Sequence, residues 1–166
     1  MSRLGLSYTV IGGMAVIRNG AARTTMDVDV LTRREDWKSL QKTSIPGLKI
    51  ELDHAVDTET EVEIDVIFPG DDWEMVIPVP DPEEVKEYDR ELGAFFIALK
   101  PLIELKTAVF MKKRKEDGIE LAAKDLADIV ALTQNNRERI TSVFIENMHP
   151  AVREQYRKVV ENISHK

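Results

Sequence analysis

Two aspartates one residue apart, Asp27 and Asp29, sit in the run Arg23-Thr24-Thr25-Met26-Asp27-Val28-Asp29-Val30-Leu31, shortly after Gly12-Gly13. The run reads as a strand, and on a strand successive side chains alternate faces. Asp27 and Asp29 then project one way while Val28 and Val30 point into the opposite layer. Two carboxylates in one small space repel and resist ionising together unless a cation lies between them, and hard oxygen donors of this kind suit Mg²⁺. The pair has the chemistry of half a metal site. There are no cysteines, and the three histidines show no zinc spacing, so any metal must be held by carboxylates.

The elements that must position this pair follow from hydrophobic period and turn residues. Tyr8 to Ile11 is a short β-branched and aromatic run, stopped by Gly12-Gly13, and Met14 to Arg18 is helix-friendly up to Asn19-Gly20. Met26 to Leu31 is the second strand. Thr32 reads as the N-cap of an amphipathic helix over about Arg33 to Lys42, with Trp37 and Leu40 on its buried side. After the break at Pro46-Gly47, Leu48 to Val56 and Glu61 to Phe68 read as two strands joined by the polar turn Asp57-Thr58-Glu59-Thr60. In the second of these, Val62, Ile64 and Val66 share one face and Glu61, Glu63 and Asp65 the other. Asp71 to Asp81 is irregular and proline-punctuated, Pro82 to Tyr88 reads as a short acidic helix, and Ala94 to Leu99 as a strand or the lead into a helix.

Beyond Leu99 the period becomes helical. Leu102, Leu105, Val109 and Phe110 form a stripe running to about Lys113; Ala122 to Thr133 repeats it, and further helices are expected over Arg137 to Asn147 and Pro150 to Ile163. The fold class is therefore α+β, a mixed sheet flanked by helices over residues 1–99, followed by a helical half over 100–166. At this size the halves are expected to share one core or form a small lobe pair. Lys106 falls within the apolar side of its helix, four residues from Leu102 and from Phe110. Either its stem covers the core, or its ammonium turns into a cleft to meet phosphate; alone the first reading is favoured, and with the aspartates upstream the second. Trp37, Trp73 and the methionines are assigned to packing.

The 166 residues are 43% hydrophobic and 32% charged, which reads as one globular domain. No apolar run approaches the ~20 residues a membrane helix needs and no signal-peptide pattern opens the chain, so a cytoplasmic location without membrane partners is expected. A net charge of −7 argues against a generic nucleic-acid binder, which would present a basic surface. The dense basic run Lys112 to Lys115 reads first as a solvated helix end.

Taken together, Gly12-Gly13-Met14-Ala15, Arg23-x-Thr25-x-Asp27-x-Asp29 and Ile64-Asp65-Val66 resemble the nucleotidyltransferase superfamily related to DNA polymerase β. Within it, the chain is similar to the small AbiEii-type and minimal nucleotidyltransferases of toxin systems. Pro101-Leu102-Ile103-x-Leu105-Lys106-x-Ala108 and Lys124-Asp125-x-x-Asp128 resemble downstream elements of that branch, and the similarity runs from about Tyr8 to Leu132. Each part alone is weak and the set is specific. The resemblance implies a nucleotidyltransferase-like fold and transfer of a nucleoside monophosphate from a nucleoside triphosphate (NTP) to an acceptor hydroxyl, with pyrophosphate released. It implies that Asp27, Asp29 and Asp65 hold two Mg²⁺ ions and carry catalysis, Asp65 also taking the proton. It implies that Gly12 and Gly13 admit the triphosphate to backbone N–H groups and that Arg23, Thr25 and Lys106 add phosphate contacts. An RNA, such as tRNA, or a protein would be the acceptor, and an antitoxin or a second copy of the chain the companion. Most relatives carry a helix before the first strand, where this chain has only about seven residues. The rival readings are a catalytically silent binding or regulatory module on the same fold, and a plain α+β interaction protein whose acidic face is only solvated.

Overall fold

The structure, a computed structural model, describes residues 1, 4–71 and 76–164; Trp73 lies outside the described residues. Contacts divide the chain into two compact units: Met1–Ala15, Arg23–Asp71 and Val79–Ala98 in one, Val16–Ala22, Asp72–Pro78 and Leu99–Lys166 in the other.

The first unit holds a seven-stranded mixed sheet. Its strands are β1 (Tyr8–Val10), β2 (Asp27–Thr32), β3 (Leu48–Ile50), β4 (His54–Asp57), β5 (Glu63–Ile67), β6 (Lys86–Asp89) and β7 (Ala94–Ile97), in the order β3-β4-β5-β2-β1-β7-β6. β2 runs antiparallel to β1 and parallel to β5, while β1 runs parallel to β7. Helix α1 (Gly12–Arg18) follows β1, α2 (Arg34–Gln41) follows β2, and α3 (Pro82–Val85) precedes β6. Trp37 and Leu40 of α2 pack with Ala55, Val66 and Phe68. The apolar sides of β4 and β5 are thereby buried, and the alternate residues of β5 are turned to the other face.

The expected strand over Leu48 to Val56 is in fact two, β3 and β4, folded back on each other with Leu48 opposite Asp57 and Ile50 opposite Ala55. The turn between them closes with Glu51 N–H donating to His54 O at 2.8 Å, and it leaves Leu52 85% exposed. Helix α2 supplies donors to the turn: Trp37 Nε1 bonds Leu52 O at 2.9 Å and Gln41 Nε2 bonds Glu51 O at 2.6 Å. Thr32 is not a helix cap. It ends β2, its hydroxyl donates to Ser7 O at 2.6 Å, and the cap position belongs to Arg33. The expected helix over Pro82 to Tyr88 stops at Val85, because Lys86 onward pairs with β7, where the Tyr88 and Phe95 rings meet at a tilt with centroids 5.1 Å apart.

The second unit is built from α4 (Leu99–Glu116), α5 (Ile119–Asn135), α6 (Ser142–Glu146) and α7 (Pro150–Ser164). Leu102, Ile103, Ile129, Leu132, Val152 and Tyr156 are fully buried; of the expected α4 stripe, Leu102 and Phe110 are buried and Leu105 and Val109 only half-buried. Tyr156 places its hydroxyl 3.0 Å from Thr133 Oγ1. The helix expected from Arg137 begins only at Ser142, where the Thr141 hydroxyl accepts from Phe144 N–H at 3.2 Å. Among the described residues no helix is long and apolar enough to cross a membrane.

Candidate active site

β2 and β5 lie side by side and parallel, so residues in register point to the same face. Asp27 stands opposite Glu63 and Asp29 opposite Asp65, while Val28 pairs with Ile64 and Val30 with Val66 on the reverse side. The third aspartate is thus a direct lateral neighbour of the second. Asp27 and Asp29 are half-buried and Asp65 is exposed. Among the described residues no three carboxylate, imidazole or thiol groups are gathered tightly enough to hold an ion as they stand.

The glycine pair is shaped by its neighbours. Ile11 N–H donates to Asp29 O at 2.9 Å, which carries the β1–β2 ladder one residue past β1 and lays the start of α1 against Asp29. Gly12 has φ +57°, and a Cβ there would fall on the Asp29 carboxylate, with Asp29 Cβ itself only 2.9 Å away. Gly13 faces the next pair of residues. A Cβ on Gly13 would strike Thr25 Oγ1, with Thr25 Cβ at 2.9 Å and Arg23 Nη2 at 3.1 Å. The Thr25 hydroxyl donates to Asp27 Oδ1 at 2.5 Å. Gly12, Gly13, Arg23, Thr25, Asp27, Asp29 and Asp65 therefore belong to one unit, and the first six are drawn together around the start of α1 and β2.

A second set of charges anchors the far end of β2. Arg33 grips Asp81 with two parallel bonds of 2.8 and 2.9 Å, and Asp81 also accepts from Glu83 N–H to cap α3. The Arg33 bond holds the Asp81 carboxyl below its ordinary value. Thr9, fully buried on β1, donates to Pro82 O at 3.0 Å.

Lys106 belongs to the helical unit. Its ammonium lies 2.8 Å from Asp128 Oδ2 and 3.2 Å from Asp125 Oδ1, and Lys113 reaches Asp125 Oδ2 at 2.8 Å. Both aspartates are buried, so Asp125 and Asp128 are core ion-pair partners. Burial alone would push the Asp125 carboxyl up, but the Lys113 hydrogen bond and the Lys106 charge outweigh it and hold it below its ordinary value of 3.8.

Two neighbours of the aspartates escaped the sequence reading. Glu63 stands beside Asp27, and His54 stands opposite Asp65 across the β4–β5 ladder. The register that sets His54 against Asp65 follows from the closing bond of Asp57 N–H to Val62 O at 3.0 Å, which the expected turn over Asp57 to Thr60 did not give. The ring nitrogens of His54 lie 3.3 Å from Glu51 and from Asp53.

No protein-family model matches the sequence, and neither does any curated protein. Solved structures do. A crystal structure of ANT(2'')-Ia in complex with adenylyl-2''-tobramycin aligns with a TM-score of 0.50 at 12% identity, over 95% of this chain and 90% of that one. A solution structure of the antibiotic-resistance factor ANT(2'')-Ia aligns at 0.45 and 11% identity, over 99% of this chain and 91% of that one. With the seven-stranded mixed sheet and its flanking helices, the crystal-structure alignment shows that the chain shares the α+β fold of that structure, a mixed sheet flanked by helices and followed by a C-terminal helical half.

Proposed function

We propose that this chain is a Mg²⁺-dependent nucleotidyltransferase that moves a nucleoside monophosphate from an NTP to a hydroxyl of an RNA or a protein. The observation that supports this most is the register of β2 and β5, with Asp27, Asp29 and Asp65 on one face and Gly12 moulded to Asp29. An all-carboxylate set of hard oxygen donors fits Mg²⁺, and Asp27, Asp29 and Asp65 would hold two such ions. Bound there, Mg²⁺ supplies charge neutralisation at the triphosphate and lowers the pKa of the attacking hydroxyl. Asp65, the exposed member, takes the hydroxyl proton. Gly12 and Gly13 let backbone N–H groups near the triphosphate, and Arg23 adds a guanidinium. The bond from the acceptor oxygen to the α-phosphorus forms as the bond to the bridging oxygen breaks, and pyrophosphate leaves. Lys106 is left out of the phosphate set, because two buried carboxylates already match its charge. The RNA or protein acceptor and a role in a toxin–antitoxin pair rest on the resemblance to AbiEii-type proteins.

The test is incubation with labelled NTPs and Mg²⁺ in the presence of tRNA or of lysate protein, with tobramycin as a small-molecule comparison and Asp27→Ala alongside. Transfer to RNA or protein is expected, and its loss in the variant with the circular-dichroism spectrum unchanged. Nucleotide binding without turnover would instead favour the silent binding module. No transfer and no metal-dependent NTP binding would sink both.

A further inference from the structure

We infer that Thr25 is a positioning residue for Asp27, and that Gly13 is glycine because Thr25 occupies the space of its side chain. This rests on Asp27 being a metal ligand as proposed above. A hydroxyl has one hydrogen, and that of Thr25 is given to Asp27 Oδ1 at 2.5 Å. While it holds Asp27, Thr25 presents only lone pairs, and so does a phosphate oxygen. The two cannot bond, which removes Thr25 from the phosphate donors that the sequence pattern suggested.

The hydroxyl is also fixed in direction. Threonine is stiff about χ1, and the start of α1 closes on it so tightly that a Cβ at Gly13 would collide with both Thr25 Oγ1 and Thr25 Cβ. The bond fixes the orientation of the Asp27 carboxylate. The two glycines have separate tasks. Gly12 makes room for the carboxylate of Asp29, and Gly13 makes room for the residue that aims Asp27.

The full chain, with Thr25→Val, Thr25→Ser and Gly13→Ala, is titrated with Mn²⁺ by electron paramagnetic resonance in the presence of a non-hydrolysable NTP analogue. Transfer is measured in parallel against Mg²⁺ and NTP, and thermal melts monitor the fold. Thr25→Val keeps the shape and loses the hydrogen; it is expected to weaken Mn²⁺ binding and raise the Mg²⁺ requirement by about 10- to 100-fold, with KM for NTP at saturating Mg²⁺ unchanged. Thr25→Ser restores wild-type metal affinity. Gly13→Ala has no positive φ to strain it and reproduces the metal defect by displacing Thr25. The inference is overturned if Thr25→Val raises KM for NTP and leaves Mn²⁺ affinity intact, or if Thr25→Ser and Thr25→Val behave alike. If wild type binds and transfers and Thr25→Val matches it, this inference alone falls. If wild type binds neither Mn²⁺ nor NTP, the proposed function falls and takes it along.

Discussion

Asp27 and Asp29 each have their own local support, and the supports predict separable failures. Asp29 lies against a glycine that must be glycine twice over, by its positive φ and by the carboxylate in its side-chain space. Gly12→Ala is expected to lose about 1–2 kcal/mol from the left-handed backbone and roughly 1–3 kcal/mol more from the collision. Gly93, at φ +63° with open space around it, is the control: Gly93→Ala should lose only the first part. Urea denaturation of the two variants separates the terms, and equal losses would mean that Asp29 moves aside freely. Asp29→Asn and Asp65→Asn should each reduce nucleotidyl transfer by roughly a thousandfold, the scale of losing a main electrostatic stabiliser, with the melting temperature little changed. Residual transfer within tenfold of wild type would remove that residue from the site. The alternation that puts Asp27 and Asp29 together is legible in the sequence, because it depends only on strand geometry. The Thr25 hydrogen bond was not legible, because a hydroxyl two residues upstream can face a phosphate or a carboxylate with the same spacing.

Within the helices, the charges that matter are inside. Lys106, Asp125 and Asp128 are largely buried, and Lys113 joins them from a half-exposed position. Removing one side of a buried pair leaves an uncompensated charge, so Asp128→Asn is expected to cost about 3 kcal/mol, the low end because Lys106 keeps Asp125. Chemical denaturation checks it; a change under about 1 kcal/mol would show the network to be solvated. Asp125 adds a pH dependence. A carboxyl whose folded pKa lies below its unfolded value contributes stability that is fully present above the ordinary 3.8 and is lost as pH falls through the lowered value. Asp125→Asn should flatten that part of the acid-unfolding curve, and an unchanged curve would assign the acid sensitivity to other carboxylates. The helical stripes around Leu102 and Ile129 were readable from their period. That Asp125 and Asp128 turn inward was not, because a helix-surface pattern of acid and base looks the same whether water or another helix lies above it.

For the whole chain, the charge balance sets an expectation about partners. With 30 acidic and 23 basic residues, the net charge of −7 works against binding a polyanion through released counterions. RNA that is not an acceptor should bind more weakly than about 10⁻⁴ M at physiological salt, and tight, steeply salt-dependent retention in a gel shift would contradict this. Composition, the strand–glycine–helix start, the helical second half and the shared face of Asp27 and Asp29 were determined by the sequence itself. They follow from backbone geometry within a few residues, and from the cost of leaving apolar stripes in water. The parallel pairing that brings Asp65 beside Asp29, the fold-back that splits Leu48 to Val56, the fit of Gly12 around a carboxylate and the burial of Lys106 with its partners were decided by tertiary structure alone. Strand order and register are settled by the sum of many distant contacts, and a spacing along one chain records no trace of which strand will lie alongside it.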